Sequence, residues 1–208
     1  YYFPHAAGVA FSRNLYRWSP QIKQDAGFLR LVSGLGTRAV DMLADDYPRL
    51  VALSHPRLHS SSDVRTIKRY SQQNLDAINI ETNTFVTIPV SEAINADYGP
   101  LRYIAQVEQD GYLAPIHSRL DSTEKLVLTF DGLLSRTPFS KSMRTALALL
   151  ETHYGSPVDT EFTVEILNPD EQPDVRITLL QCRPQSHIHE SNDVQIPADL
   201  EAENIIFS

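Results

Sequence analysis

Four residues toward the C-terminal end have the types and spacing that phosphate chemistry needs: Asp159, Glu161, Gln181 and Arg183. From Val158 to Ile166 the sequence alternates, with Thr160, Phe162, Val164 and Ile166 on one face and Asp159, Glu161, Thr163 and Glu165 on the other. That is a strand with one buried and one polar face. A second run, Val175 to Arg183, sets Leu180 and Cys182 on one side and Gln181 and Arg183 on the other. The turn-rich Asn168-Pro169-Asp170-Glu171-Gln172-Pro173-Asp174 joins the two. A hairpin symmetric about Glu171 places Glu161 opposite Gln181, Asp159 opposite Arg183, and Phe162 opposite Leu180. A slip of one residue would set the Glu161 carboxylate against Leu180, so the polar pairing is favoured. Carboxylate and amide oxygens are the hard ligands that Mg2+ takes, its shell completed by water and substrate phosphates. A guanidinium offers a planar fork to phosphate oxygens. Together they suit phosphoryl transfer, in which catalysis is mostly positioning and charge neutralisation. The same cross-strand pairs also stand on ordinary solvated sheets, contributing about 0.2–1 kcal/mol each. Spacing alone leaves both readings open.

The elements that must position these residues are legible in patches. Ala7-Gly8-Val9-Ala10-Phe11-Ser12, Gly27 to Val32, and Arg49 to Ser54 read as buried strands. The second leads into Ser33-Gly34-Leu35-Gly36-Thr37, whose glycines let backbone approach a ligand. Between Ile67 and Ile88 apolar and polar residues alternate around Thr82-Asn83, which predicts a hairpin. Ser91 to Leu120 mixes short helical and extended signals. Lys125 to Phe130 predicts a strand ending at Asp131-Gly132. The strongest helix begins near Ser140 and runs to His153, with Met143, Ala146, Leu147 and Leu150 on one face and Gly155 in the capping position.

Composition narrows the classes. In 208 residues, 18 Lys and Arg stand against 26 Asp and Glu, a formal charge of −8, so no general field attracts a nucleic acid. No apolar run approaches the length of a membrane span, and the opening lacks a signal peptide, which predicts a cytoplasmic protein. The single cysteine, Cys182, excludes an internal disulfide and reads as a small core residue. The chain starts at Tyr1, which suggests a piece of a longer polypeptide. His187 and His189 read as solvated tail, and Arg65, Lys68 and Arg69 as a solvated basic edge.

Two longer stretches resemble a known family. Leu149-Leu150-Glu151-Thr152-His153-Tyr154-Gly155-Ser156-Pro157-Val158-Asp159-Thr160-Glu161-Phe162, followed by Ile177-Thr178-Leu179-Leu180-Gln181-Cys182-Arg183-Pro184, is similar to the end of the ATP-grasp domain of phosphoenolpyruvate synthases and pyruvate phosphate dikinases. Ala7 to Asn14 resembles that family's Gly-Val-x-Phe-(Ser/Thr)-Arg-(Asn/Asp) strand, and Gly34-Leu35-Gly36 its Gly-Leu-Gly-Glu segment. One departure is Thr37, where the family has Glu. Residues 60–136 match no family pattern.

The resemblance implies an α+β, ATP-grasp-like fold, mainly antiparallel sheet with packed helices, of which residues 1–188 form the C-terminal portion and 189–208 a linker. It implies Glu161 and Gln181 as Mg2+ ligands, Asp159 beside them at the phosphates of ATP, and Arg183 as the catalytic contact to the terminal phosphate. Arg13, Gly34 and Gly36 would lie near the nucleotide. In the family, ATP phosphorylates an enzyme histidine, which passes the phosphoryl group to pyruvate on a separate domain. The preceding ATP-grasp half, the phosphohistidine domain and the pyruvate-binding domain are expected as partners supplied elsewhere, and the chain alone is expected to be inactive. A non-catalytic interaction or regulatory module that keeps the fold is the alternative.

Overall fold

A computed structural model describes residues 1–40, 46–117, 120 and 125–185. His187, His189 and the expected linker 189–208 lie outside the described residues. In chain order the first elements are β1 (Ala6–Phe11), β2 (Phe28–Val32), α1 (Thr37–Val40), β3 (Arg49–Ala52), α2 (Val64–Arg69), β4 (Asn74–Asn79), β5 (Thr84–Pro89) and α3 (Val90–Ala93). There follow α4 (Leu101–Ile104), β6 (Ala105–Gln109), β7 (Tyr112–Pro115), β8 (Leu126–Leu128), α5 (Asp131–Arg136), α6 (Phe139–Tyr154), β9 (Val158–Leu167) and β10 (Asp174–Pro184).

The principal sheet has five strands in the order β10-β9-β1-β2-β3, every pair antiparallel. Thus the first strand of the chain is central, clasped between its second and its penultimate one. Small residues at Ala6, Ala7, Gly8 and Ala10 suit a strand buried on both faces. One face of this sheet is the core. Thr160, Phe162, Val164 and Ile166 of β9 lie on it, as their alternation requires, and α6 covers it with Phe139, Met143 and Leu147. The Phe139 and Phe162 rings lie 6.0 Å apart. The helix ends at Gly155, whose left-handed backbone (φ +67°) returns an N–H bond to the Glu151 carbonyl. β4 and β5 form the expected hairpin, with Asn83 at φ +53°, and β7-β6-β8 make a third small sheet.

The fold is α+β with mainly antiparallel sheets, as the sequence implies. Three details differ. The strand expected over Lys125 to Phe130 is only Leu126–Leu128, and Asp131-Gly132 beyond it opens a helix. Phe130, fully buried at φ +58°, swings the chain into α5, and a Cβ at Gly132 would come within 2.6 Å of the Tyr103 Cα. That glycine serves close packing of α5 on α4. Ser91 to Leu120 resolves into α3, α4, β6 and β7 among its described residues, pieces of four or five residues too short to show a period. Finally, Phe162 faces Leu179, not Leu180. A bulge between Leu179 and Gln181 leaves Leu180 as an extra residue, and beyond it Gln181 faces Glu161 and Arg183 faces Asp159 as the sequence predicts.

A buried polar network ties the principal sheet to β4. Asp76 and Asp46 are both almost wholly buried. Arg38 bridges them, at 3.1 Å to Asp76 and 2.8 Å to Asp46. Thr37 and Thr87 donate their hydroxyls to Asp76, while the Gln73 and Asn74 N–H groups donate to Asp46. The Leu35 N–H donates to the Asp76 carbonyl at 2.9 Å. Gly34 stands at φ +106°, where a Cβ would lie 2.7 Å from that same carbonyl.

Removal of one partner from a buried ion pair leaves the other uncompensated. Asp76→Ala is therefore expected to cost about 3 kcal/mol in urea unfolding, against under about 1 kcal/mol for an exposed control such as Glu165→Ala. A pH effect follows from His5, whose Nδ1 accepts the Ile166 N–H at 2.8 Å. Burial pushes this histidine below its usual 6.5, opposed only in part by Glu165. A depressed native value favours the neutral ring, so its stabilisation is present above 6.5 and is lost as pH falls from 6.5 toward the native value. Comparison of unfolding free energies between pH 7.5 and 5 should show a flatter profile in His5→Gln than in the parent chain.

Candidate functional site

The second face of the principal sheet carries the polar residues. Register places Gln181, Glu161, Val9, Arg30 and Leu50 side by side across the five strands. The adjacent row is Arg183, Asp159, Phe11, Phe28 and Ala52. Four candidates thus project from two adjacent strands within two neighbouring rows. Their positions depend on the bulge. Without an extra residue, the pairing that runs from Asp174 to Leu179 would set Leu180 against Glu161 and turn Gln181 and Arg183 toward the core face.

Arg183 donates its Nε–H to Asp159 Oδ1 at 2.7 Å, the carboxylate being nearly buried and the guanidinium mostly exposed. The bond to Asp159, and its charge, hold the Arg183 guanidinium above its ordinary range. The Nη groups of Arg183 make no hydrogen bond within the described residues, which leaves one side of the fork for an anion. Glu161 and the Gln181 amide likewise have no side-chain partner there, although the Thr160 hydroxyl fixes the Gln181 carbonyl. Two oxygen donors stand opposite one another with their ligand capacity unspent. Among the described residues no cluster of three or more His, Cys, Asp or Glu is arranged to hold a metal ion. Two protein oxygens fit a cation that keeps waters and takes phosphate oxygens, and do not fit an all-protein cage.

The structure brings the glycine loop to this face. Gly36, Thr37 and Leu35 border a cavity of about 270 Å3 with Glu161, Gly8 and Leu180. Gly34 does not line it and acts one step back, where it lets the loop lie against β4. Thr37 is occupied by Asp76, a bond that a glutamate could not donate. Its substitution for the family's Glu is therefore matched by a local anchor. Arg13 lies beyond the end of β1 and pairs with Glu151 of α6. It borders both a cleft of about 870 Å3 beside α6 and a smaller one, about 120 Å3, shared with Asp159, Tyr16 and Arg30. Cys182 faces Thr160 on the other side of the strand and is partly buried, away from the carboxylates.

Arg30 was not singled out by motif reasoning, yet it stands in the same row as Glu161 and Gln181. The signal in the sequence is a lone cation within Phe28-Leu29-Arg30-Leu31-Val32, a run otherwise apolar on both faces.

No curated protein matches the chain. No described helix is long and apolar enough to cross a membrane. Residues 2–204, nearly the whole sequence, match the family described as pyruvate phosphate dikinase, AMP/ATP-binding domain. The chain belongs to that family, an ATP-binding domain of the pyruvate phosphate dikinase and phosphoenolpyruvate synthase type.

Proposed function

We propose that the polar face of the principal sheet is the Mg2+ and triphosphate side of an ATP site in a phosphotransferase. The observation that supports it is the grouping of Asp159, Glu161, Gln181 and Arg183 on one face of the sheet, with the Glu161 carboxylate and the Gln181 amide making no side-chain hydrogen bond among the described residues. Glu161 and Gln181 would hold the cation, which when bound supplies charge neutralisation at the phosphates. Asp159 orients Arg183 through the 2.7 Å bond, and the free side of the Arg183 fork receives the terminal phosphate. Gly36 lets the loop backbone border the cavity at Glu161, and Arg13, pinned by Glu151, would act from the smaller cavity that it shares with Asp159.

By the family's chemistry, the phosphoryl group then passes from ATP to an enzyme histidine and on to pyruvate, with cytoplasmic location. Other domains, including the other ATP-grasp half, would supply the remaining phosphate contacts and the acceptor histidine. A second reading is a non-catalytic module, and Thr37, tied to Asp76 where the family has Glu, is the observation in its favour.

In the full protein that carries this chain, Glu161→Ala and Arg183→Ala are each expected to lower Mg-ATP turnover by at least about 100-fold, with thermal midpoints within a few degrees of the parent. Both residues are at least partly exposed, so folding should survive. Turnover unchanged in both variants would refute the assignment, and absence of Mg-ATP binding by the full protein would favour the module. The isolated 208-residue chain is expected to show no phosphoryl transfer from ATP.

A further inference from the structure

Arg30 borders a second cavity, about 310 Å3, on the β3 side of the sheet, two strands along the row from Glu161, and neither Glu161 nor Gln181 lines it. Its wall combines Arg30 with Tyr47, Leu50, Ser60, Tyr70 and Leu128. Arg30 is partly buried and makes no hydrogen bond or ion pair among the described residues. A half-desolvated guanidinium without a counter-ion is costly, and the sheet holds it in place between Val9 and Leu50.

Among the described residues the lining holds a second cation, Arg49, and no carboxylate, although Asp131 outside it pairs with Arg49 and His59. Arg49, at the same wall, gives its donors to the carbonyls of Thr129, Leu50 and Leu58. Desolvation draws this guanidinium down to about 10, so it remains charged near neutral pH. Asp131 lies 4.0 Å from Arg49 and 3.2 Å from the His59 ring, and it does not line the cavity. The remaining wall mixes hydroxyls, from Ser60, Ser61, Thr66 and Ser71, with apolar and aromatic side chains. Tyr47 and Tyr70 meet edge to face with ring centroids 5.0 Å apart, and Leu50 and Leu128 are aliphatic.

We propose that this cavity is a binding site for a small organic oxyanion, a carboxylate or phosphate monoester on a short planar body, with Arg30 as its anchor. The guanidinium fork takes the oxyanion, Ser60 offers a hydroxyl, and the tyrosine and leucine walls take the body. A cavity of about 310 Å3 has the volume for a ligand of roughly a dozen heavy atoms.

The test uses the 208-residue chain without ATP or Mg2+, titrated with phenyl phosphate, benzoate and inorganic phosphate and followed by NMR. Saturable binding of phenyl phosphate or benzoate is expected, with shifts concentrated at Tyr47, Tyr70 and Leu128. Phenyl phosphate alone assigns a phosphate monoester, and benzoate alone a carboxylate. Arg30→Gln should weaken binding by about tenfold or more, and Arg30→Lys should restore part of it. Arg144→Gln, on α6, should leave it unchanged, and because neither ATP nor Mg2+ is present, failure here is separable from failure of the ATP assignment. No saturable binding by the two organic probes, shifts mapping elsewhere, or equal loss in Arg30→Gln and Arg144→Gln would overturn the proposal. If Arg30→Gln does not fold, the shift map of the parent chain decides alone.

Discussion

The extra residue in β10 is the constraint on which the polar face depends. Before Leu180 the strand follows one phase, with Leu179 toward Phe162 and the core side of the sheet. After it the phase is reversed relative to simple alternation, which brings Gln181 and Arg183 to the face of Glu161 and Asp159. A bulge re-aims side chains at modest cost where it lies near an edge, and β10 is an edge strand. The consequence is chemical. Two oxygen donors, a carboxylate and a guanidinium share a surface that a regular ladder in the upstream register would have divided between solvent and core.

A second constraint acts from behind. The Gly34-Leu35-Gly36-Thr37 loop can border the cavity at Glu161 only if its own backbone is held, and the holding group is Asp76. This one buried carboxylate accepts from Thr37, Arg38 and Thr87, while its carbonyl accepts from Leu35. Such a network is stable only when every member is satisfied. It therefore couples the short β4–β5 hairpin to the principal sheet more specifically than apolar contact could. Thr37 belongs to this scaffold, and its hydroxyl does work that the family's carboxylate at that position cannot do beside Asp76.

The sequence made the strongest periodicities readable. The alternation of β9, the apolar face of α6 with Gly155 behind it, and the parity argument for Glu161 opposite Gln181 all rest on local pattern plus one buried face. What pattern could not show was the change of phase. Leu179 and Leu180 are both leucines, and a symmetric turn about Glu171 accounts for the polar pairs without requiring a bulge, so the pairing of Phe162 was assigned one residue out. Gly132 is a related case. A glycine after a strand normally marks a turn, and here its missing Cβ is required by the backbone of Tyr103, a contact that no local signal encodes. Arg30 shows the opposite case: its oddness was visible in the run, but only the register put it in the row of Glu161.

That register also changes how the charge of the protein should be viewed. A net −8 averaged over the chain argues against a polyanionic partner. On the polar face the count is different, since Asp159 and Glu161 are set against Arg183 and Arg30. Arg30 is two strands from Glu161, about 10 Å by ordinary strand spacing, which is comparable to the screening length of about 8 Å at physiological salt. Across a partly buried surface the two charges still interact, because screening is weaker there than in bulk. The face is thus locally near neutral, with the β9 carboxylates Asp159 and Glu161 lying between Arg183 on β10 and Arg30 on β2, an arrangement that would suit a cation at Glu161 and Gln181 and oxyanions toward Arg183 and Arg30. A uniform negative field would favour the first and oppose the second. Alternation of the two signs across one sheet face is compatible with both.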